Sequence, residues 1–331
     1  MEKIIECGEV KARLLYGCDV LEGLSLLDDE SVDCIVTSPP YWGLRNYEDN
    51  DQQIGSEESP VEFVGKMTDV FREARRVLST KGTLWLNIGD TYATASVNRN
   101  HVGDGIMADR NHENFSAVKE RKIPAGLKKK DLIGVPWRLA LALQEDGWWL
   151  RNDIIWHKPN PMPSPAQDRC TVAHEYIFLL TKSSSYNLYP DAVRTPLAKA
   201  TVTDLLNRSK PSKERERYGG QASCPSNFAG ANPNGANIRT VWKLKPNSYQ
   251  GDHFAVFPEE LPERCIKAGT QPGDTVLDLF SGSATTGKVA LRLGRNYIGI
   301  DVNESYLDMA ARRVSLIHSD VVKDEDQLEM F

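Results

Sequence analysis

The sequence predicts an α/β fold built on a largely parallel β-sheet. Short, largely apolar runs are typical of strands that are buried on both faces of such a sheet, and four are present: Val32–Thr37, Thr83–Ile88, Thr275–Phe280 and Tyr297–Asp301. A segment with helical apolar spacing, Phe63–Leu78, separates the first two runs. Ligands of open α/β sheets bind beyond the carboxyl ends of the strands, so the residues that follow these runs are candidates for a functional site.

The remaining elements are predicted in chain order from spacing and from turn residues. Residues 1–92 are predicted to form strand, helix, strand, turn, helix and strand, with Lys81-Gly82 ending the second helix. Residues 93–130 are polar and rich in Asn, Gly and charge, which predicts a long, mobile loop. Later segments predict a helix, two strands and a closing helix: Leu132–Leu143, Trp148–Trp156, Glu175–Thr181 and Met309–Leu316.

The turn after the first buried run has the sequence Ser38-Pro39-Pro40-Tyr41. Two consecutive prolines fix φ and remove two amide donors, so this turn presents carbonyl oxygens. An aromatic ring follows them directly. Carbonyl acceptors at an edge and a ring against a face suit a flat group that carries an NH2. Taken alone, the tetrapeptide is equally well explained by an ordinary proline turn with a core tyrosine.

A second motif lies near the C-terminus, where small residues at Ser281–Ser283 join a strand to a helix that Ser283 or Thr285 is predicted to cap. A glycine turn at this place lets the backbone approach a nucleoside closely. Asp301 ends the next strand about 20 residues later, where an acidic side chain takes ribose hydroxyls. The turn lacks the full G-x-G-x-x-G pattern, which favours a nucleoside without phosphate. An ordinary βαβ unit with a solvated Asp301 is the alternative.

Together the two motifs resemble a known family. The chain is similar to the S-adenosylmethionine-dependent DNA amino-methyltransferases of the beta class: Ser38–Tyr41 matches their catalytic tetrapeptide in its serine form, and Asp278–Thr286 matches their D-P-F-x-G-S-G-T-T cofactor motif. Three further segments resemble family segments: Ile154–Arg169, His174–Lys182 and His253–Ala268. The resemblance covers most of the chain. It implies a class I methyltransferase-like, doubly wound, mostly parallel sheet with circularly permuted motif order and an inserted, loop-rich target-recognition region.

The resemblance also implies which residues form the site. The catalytic residues would be Ser38, Pro39, Pro40 and Tyr41. The residues implied to bind S-adenosylmethionine are Asp19, Phe257, Asp278, Phe280, Ser281, Gly282, Ser283, Thr285, Thr286 and Asp301. Three positions depart from the family pattern, since Leu279 replaces a proline and Cys18 and Ala284 replace glycines. None of these changes removes a group that does chemistry.

The implied reaction is methyl transfer to the exocyclic amine of a base that has been flipped out of double-stranded DNA. Ser38 Oγ and the Pro39 carbonyl would accept hydrogen bonds from the two N–H groups of that amine. Tyr41 would stack on the base, which contributes ~1–3 kcal/mol. Serine at the first position of the tetrapeptide, with threonine before the tetrapeptide and tryptophan after it, resembles the motif of the N4-cytosine members. The N6-adenine members usually carry aspartate or asparagine at that first position.

Several alternatives remain open from the sequence. Adenine N6 is one, because serine and aspartate can both hold an NH2 group. An RNA or protein N-methyltransferase is a second, since such enzymes use similar turns. An inactive DNA-binding relative is a third, although it would be expected to lose Tyr41, the glycine turn or Asp301. The sequence also leaves open whether a cognate restriction endonuclease is a partner.

The distribution of charge favours DNA binding by one segment. The formal net charge of the 331 residues is −6, which is unusual for a protein that contacts phosphates. Between Asp191 and Gln250, however, there are ten Lys and Arg residues and only four Asp and Glu residues, a local excess of six positive charges. We therefore predict a target-recognition region at 191–250 and a catalytic domain at 1–190 and 251–331. The candidate DNA contacts are Lys158, Arg169, Arg208, Asn237 and Arg239.

The cysteines and apolar segments predict the cellular setting. The six cysteines are scattered and contain no C-x-x-C pair, so we expect neither a structural metal nor a disulfide framework. No secretory signal and no run long enough to span a membrane is visible in the sequence. We expect a cytoplasmic enzyme.

Overall fold

The computed structural model describes residues 1–43, 54–93, 123, 126–197, 232, 235–246 and 257–316. Nine strands form one sheet: β1 (Glu2–Cys7), β2 (Val10–Tyr16), β3 (Val32–Thr37), β4 (Leu78–Ile88), β5 (Trp149–His157), β6 (His174–Thr181), β7 (Val241–Lys243), β8 (Thr275–Asp278) and β9 (Asn296–Asp301). Their order across the sheet is β1-β2-β9-β8-β3-β4-β6-β5-β7. The four strands predicted to be buried, β9, β8, β3 and β4, are consecutive, parallel neighbours at its centre.

Helices cover both faces of this sheet. They are α1 (Val20–Ser25), α2 (Pro60–Val77), α3 (Val135–Glu145), α4 (Glu260–Gly269) and α5 (Thr285–Arg292), with a further helical stretch at residues 307–316. One core packs α1, α2 and α3 against one face, and a second core packs α4, α5 and residues 307–316 against the other. Successive side chains of β3 therefore enter opposite cores, with Ile35 in the first and Cys34 and Val36 in the second. The predicted doubly wound, mostly parallel fold is confirmed.

The edges of the sheet are antiparallel. β1 pairs with β2 in a hairpin, where the sequence predicted a single strand before the first helix. On the other side, β6 runs antiparallel to both β4 and β5. Because of this reversal, the start of β6 and the end of β5 lie at the same edge of the sheet as the carboxyl ends of β3 and β4.

Several predicted boundaries were wrong. Helix α2 ends at Val77, and β4 begins at Leu78 without an intervening turn, so Lys81-Gly82 lies inside the strand. Strand β8 ends at Asp278 rather than at Phe280. Neither Ser283 nor Thr285 caps α5: the cap residue is Ala284, which makes no side-chain cap hydrogen bond.

Two predicted loop regions fall largely outside the described residues: the loop at 93–130 and the target-recognition region at 191–250. Residues 235–246 of the second region are described and contain β7, which extends the sheet by pairing in parallel with β5. Trp242 and Leu244 are buried in the core there. No helix in the described part of the chain is long and apolar enough to cross a membrane.

Two helical glycines provide a matched test of this packing. A Cβ at Gly287 in α5 would lie 2.5 Å from Tyr297 Cε1, whereas a Cβ at Gly65 in α2 would meet nothing within 4 Å. We expect Gly287→Ala to lower the free energy of unfolding by ~1–3 kcal/mol through overpacking. Gly65→Ala should raise it by ~0.5–1 kcal/mol, because alanine loses less entropy in a helix. Urea denaturation measures both, and equal effects of the same sign would contradict the packing described.

Candidate active site

The predicted motifs meet at one edge of the sheet. Ser38 follows β3, the Leu279–Ser283 turn follows β8, Asp301 is the last residue of β9, and Gly89 follows β4. These four strands are parallel neighbours, so their carboxyl ends lie side by side. The catalytic and cofactor motifs, which are some 240 residues apart in sequence, are therefore adjacent in space.

A buried carboxylate joins the two motifs. Asp278 Oδ1 accepts a hydrogen bond of 2.8 Å from Thr37 Oγ1, and Oδ2 accepts one of 2.7 Å from Thr286 Oγ1. The Phe280 amide also donates to Oδ1 at 3.2 Å, which turns the chain as β8 ends. Burial raises the pKa of Asp278 from 3.8 to about 6, and these three donors act against that rise. The residue before Ser38 is thus bonded through one side chain to the first turn of α5.

The small-residue turn is shaped by backbone conformation and by Asp301. Gly282 has a φ of +50°, and its amide donates to Asp301 Oδ2 at 2.6 Å. Asp301 Oδ1 accepts from the Asn303 amide at 2.9 Å. Burial raises the pKa of Asp301, while these two amides lower it. Ala284, where the family pattern has glycine, adopts the left-handed conformation with a φ of +57°.

Hydroxyl groups and one arginine support this turn from beneath. Ser281 Oγ lies 2.7 Å from the hydroxyls of both Tyr16 and Tyr297, and the Tyr16 hydroxyl donates to the Gly282 carbonyl at 2.9 Å. Burial raises the pKa of both tyrosines, so they remain protonated donors. The Arg313 guanidinium donates to Ser283 Oγ at 2.6 Å and to Thr285 Oγ1 at 3.1 Å. Sequence reasoning identified Ser281, Ser283 and Thr285 but not the residues that hold them.

The turn fits a nucleoside cofactor. A Cβ on Gly282 would meet no heavy atom within 4 Å, so the space beside this residue is open to a ligand. Each Asp301 oxygen accepts one amide and retains acceptor capacity, as ribose hydroxyls require. Phe280 is half-buried beside the turn, and Phe257 is buried. Asp19 is exposed and caps α1 by accepting from the amides of Leu21 and Glu22.

The predicted catalytic turn, Ser38–Tyr41, leaves one hydroxyl available. Ser38 is half-buried, and within the part of the chain that the structure describes no group hydrogen-bonds to its Oγ. Pro39 is buried and Pro40 half-buried, with Pro40 Cβ only 3.3 Å from the position of a Cβ on Gly55. Trp42 is buried and donates from Nε1 to the Glu57 carbonyl at 3.0 Å. The segment before α2 therefore packs against the turn from outside.

Tyr41 is held in a polar network that the sequence did not reveal. Its hydroxyl donates to Glu175 Oε2 at 2.6 Å. The Asn87 amide nitrogen donates to the same oxygen at 3.2 Å, and Lys158 pairs with the other oxygen of Glu175. A Cβ on Gly89 would lie 2.7 Å from Tyr41 Cε2, so only glycine at position 89 lets the ring occupy this place.

Two of the predicted DNA contacts lie near this network. Lys158 Nζ, besides its ion pair with Glu175, is 4.5 Å from the Trp156 ring centroid. Arg169 is exposed, and its guanidinium carbon lies 3.7 Å from the Tyr92 ring centroid. Lys158 is thus committed to contacts within the chain, while Arg169 is held against a ring at the surface.

The other three predicted contacts belong to the 191–250 region. Asn237 is exposed, and its Oδ1 accepts from Arg194 at 2.5 Å. Arg239 is exposed just before β7, and its carbonyl accepts from Trp242 Nε1 at 2.8 Å. Arg208 lies outside the described residues.

Comparison with known proteins decides the family. A family model described as DNA methylase matches residues 32–312. The chain is 41% identical to the type II methyltransferase M.SmaI of Serratia marcescens, covering 95% of this chain and 94% of that protein. It is 43% identical to M.Cfr9I of Citrobacter freundii, covering 95% and 92%. The chain belongs to the DNA methylase family. It is a site-specific DNA methyltransferase that uses S-adenosylmethionine, as the sequence motifs predicted.

Solved structures share the fold of this DNA methylase. The PvuII DNA methyltransferase, described as cytosine-N4-specific, superposes with a TM-score of 0.58 at 19% identity, covering 94% of this chain and 93% of that one. A candidate DNA modification methylase of Thermus thermophilus, solved with S-adenosyl-L-methionine, gives 0.56 at 23% identity, covering 92% and 93%.

The buried carboxylate predicts a pH dependence of stability. Because its pKa is higher in the folded protein than in the unfolded chain, Asp278 binds its proton more tightly when folded. Its contribution to stability is therefore present below pH 4 and is lost as the pH rises through about 6. The free energy of unfolding of the wild type, minus that of Asp278→Asn, should fall by about 2–3 kcal/mol between pH 4 and 7.

The matched control is Asp308→Asn, which removes an exposed carboxylate. The difference in free energy of unfolding between the wild type and Asp308→Asn should stay nearly constant between pH 4 and 7. Denaturant titrations at several pH values measure both differences. A flat profile for Asp278→Asn would contradict the assignment of a raised pKa to this residue.

Proposed function

We propose that this DNA methyltransferase transfers a methyl group to N4 of a cytosine flipped out of double-stranded DNA, in the cytoplasm. The observation that carries this proposal is Ser38: its hydroxyl follows the central strand β3 and has no hydrogen-bond partner among the described residues. Threonine before it and Pro-Pro-Tyr-Trp after it resemble the N4-cytosine members of the family. The fold permits this specificity, since a cytosine-N4-specific enzyme shares it.

The residues of the catalytic turn act on the amine. An exocyclic NH2 is a weak nucleophile, because its lone pair is delocalised into the ring. Ser38 Oγ and the Pro39 carbonyl accept hydrogen bonds from its two N–H groups and so direct the lone pair out of the plane of the base. Tyr41 stacks on the base and holds it outside the duplex. Positioning of this kind provides most of the rate when the methyl donor is already reactive.

The cofactor residues lie beside this turn. S-adenosylmethionine supplies an electrophilic methyl group when bound. Asp301 would accept the ribose hydroxyls, and the open space at Gly282 would admit the methionine end, with Phe280 and Phe257 beside it. Five other residues would act by holding the turn, because their side-chain oxygens form hydrogen bonds within the chain: Asp278, Ser281, Ser283, Thr285 and Thr286. Asp19 would serve the adenine end.

Sequence recognition is assigned to the 191–250 region. Its described ends are joined: Thr195 and Ala236 exchange two backbone hydrogen bonds of 2.9 Å, and Arg194 donates to the Gly235 carbonyl at 3.2 Å. Residues 196–235 therefore leave and rejoin the catalytic domain at one place, as an exchangeable insertion does. Arg208, Asn237, Arg239 and Arg169 are proposed to contact DNA, with Lys and Arg neutralising phosphates and fewer side chains reading bases.

The relatives support a restriction–modification context. Two that cover more than nine-tenths of this chain bear the name type II methyltransferase. We propose that a cognate restriction endonuclease cuts the same DNA sequence when it is unmethylated.

The base assignment is tested by product analysis. Duplex plasmid DNA is incubated with the enzyme and S-adenosylmethionine, digested to nucleosides and analysed by mass spectrometry. We expect N4-methyldeoxycytidine with the wild type and a loss of product with Ser38→Ala, which removes the hydroxyl acceptor. N6-methyldeoxyadenosine as the product would overturn the cytosine assignment while leaving the family unchanged.

The recognition assignment is tested by a chimera. Residues 196–235 are replaced by the corresponding segment of a relative with a different target, and Thr195 and Ala236 are retained so that the bridge can form. Sequencing with modification detection should then show the relative's target with the base type unchanged. An active chimera that still methylates the original target would take recognition out of residues 196–235 and leave Asn237, Arg239 and residues 93–130 as the next candidates.

A further inference from the structure

We propose that Glu175 is a positioning residue for methyl transfer, which acts by fixing the Tyr41 ring against the flipped base. The inference rests on the proposed stacking role of Tyr41. Glu175 lies in a segment that resembles the family, His174–Lys182, but the sequence analysis assigned it no role. The proposal also gives Lys158 a task other than contacting DNA.

The hydrogen bonds around Glu175 point to this role. Oε2 accepts from the Tyr41 hydroxyl at 2.6 Å and from Asn87 Nδ2 at 3.2 Å, while Oε1 pairs with Lys158 Nζ. The Glu175 side chain is only 14% exposed, and that of Lys158 is 25% exposed. A shielded carboxylate bonded from three sides has little freedom, so it fixes the position of the phenol that it accepts from.

The partners of Glu175 are themselves fixed by the sheet. Asn87 lies in β4, is almost fully buried, and donates a second bond to the Tyr176 carbonyl at 3.1 Å. Lys158 follows β5 directly, and its ammonium lies over the Trp156 ring. Because β6 is antiparallel to β4 and β5, these side chains converge on the same edge as the catalytic turn.

The Tyr41 ring is thereby restrained at its hydroxyl and along one edge. Glu175 holds the hydroxyl, and Gly89 leaves room for the Cε2 edge where any larger residue would clash. A ring that stacks on a base must present its face at a fixed angle, and a ring free to rotate about χ1 and χ2 would lose that angle. Restraint before substrate arrives removes an entropic cost from the reaction.

Glu175 also places negative charge beside the ring. As the amine takes up a methyl group, the target base gains positive charge, which is attracted by the face of an aromatic ring. A phenol that donates to a carboxylate is a more electron-rich ring than one that donates to water. The Glu175 interaction is therefore expected to favour the transition state over the bound substrate, and so to act on kcat more than on KM.

The test uses steady-state methylation of plasmid DNA with radiolabelled cofactor by Tyr41→Phe, Glu175→Gln, Glu175→Ala and the double variant Tyr41→Phe/Glu175→Ala. Tyr41→Phe and Glu175→Ala should each lower kcat by about 10- to 100-fold, with KM for DNA changing less. Glu175→Gln keeps a hydrogen-bond acceptor but loses the charge, so its kcat should lie between the kcat of these variants and that of the wild type. The double variant should be no slower than the slower single one, because both changes remove the same hydrogen bond.

Two readouts separate positioning from a merely structural role. Affinity for S-adenosylmethionine, measured by calorimetry, should stay within about twofold of the wild type in Tyr41→Phe and Glu175→Gln, since neither residue belongs to the cofactor turn. Glu30→Gln is the matched control: Glu30 also bonds a lysine and a hydroxyl, Lys182 and Thr80, but near the opposite end of β4. It should keep the wild-type kcat.

The outcomes distinguish this proposal from the one it rests on. If Tyr41→Ala methylates at the wild-type rate, the stacking role of Tyr41 fails. If Tyr41→Ala is inactive while Tyr41→Phe keeps the wild-type kcat, stacking stands and positioning by Glu175 is overturned. If the fold-losses in kcat of Tyr41→Phe and Glu175→Ala multiply in the double variant, positioning by Glu175 is also overturned, because Glu175 would then act independently of the phenol. If Glu175→Ala does not fold, Tyr41→Phe and Glu175→Gln still decide the question.

Discussion

The architecture of the site depends on the burial of one carboxylate. Asp278 lies at the end of β8, out of contact with water, and removing a charge from water is costly unless donors surround it. Thr37, Thr286 and the Phe280 amide are those donors, and they come from β3, from α5 and from the turn between β8 and α5. Satisfying Asp278 therefore requires β3 and the turn after β8 to be in register. Ser38, one residue beyond Thr37, takes its place beside the cofactor turn as a consequence.

The parts of the fold that the sequence predicted are those with local causes. Strand Val32–Thr37 has the predicted bounds, because a short, largely apolar run flanked by polar residues and prolines is typical of a buried strand. The end of α2 was missed for a local reason too: Leu78 continues the helical apolar spacing and also begins β4, so periodicity cannot separate the two elements. The β1–β2 hairpin and the antiparallel reversal of β6 were missed because strand pairing is set by contacts between distant segments.

The parts of the candidate site that the sequence could predict are contiguous motifs. Ser38–Tyr41 and Asp278–Thr286 could be identified from their order, but the network that holds Tyr41 could not. Glu175 is 134 residues from Tyr41, and although its segment resembles the family, nothing in the sequence links this polar residue at the start of an apolar strand to Tyr41. Contact between Lys158 and DNA stays a prediction. In the structure its ammonium pairs with a poorly exposed carboxylate, a contact with a distant residue that the sequence could not reveal.

Ala284 shows how the cofactor turn tolerates a departure from the family pattern. An L-residue in the left-handed conformation is less stable by ~1–2 kcal/mol, which is why glycine is usual at such a place. In this chain the alanine methyl is fully buried in the core beneath α5, and burying a methyl group contributes ~0.8 kcal/mol. Alanine also restricts the unfolded chain relative to glycine, which contributes a further ~0.4–1 kcal/mol. These gains offset part of the strain, and the turn keeps the space at Gly282 open to a ligand.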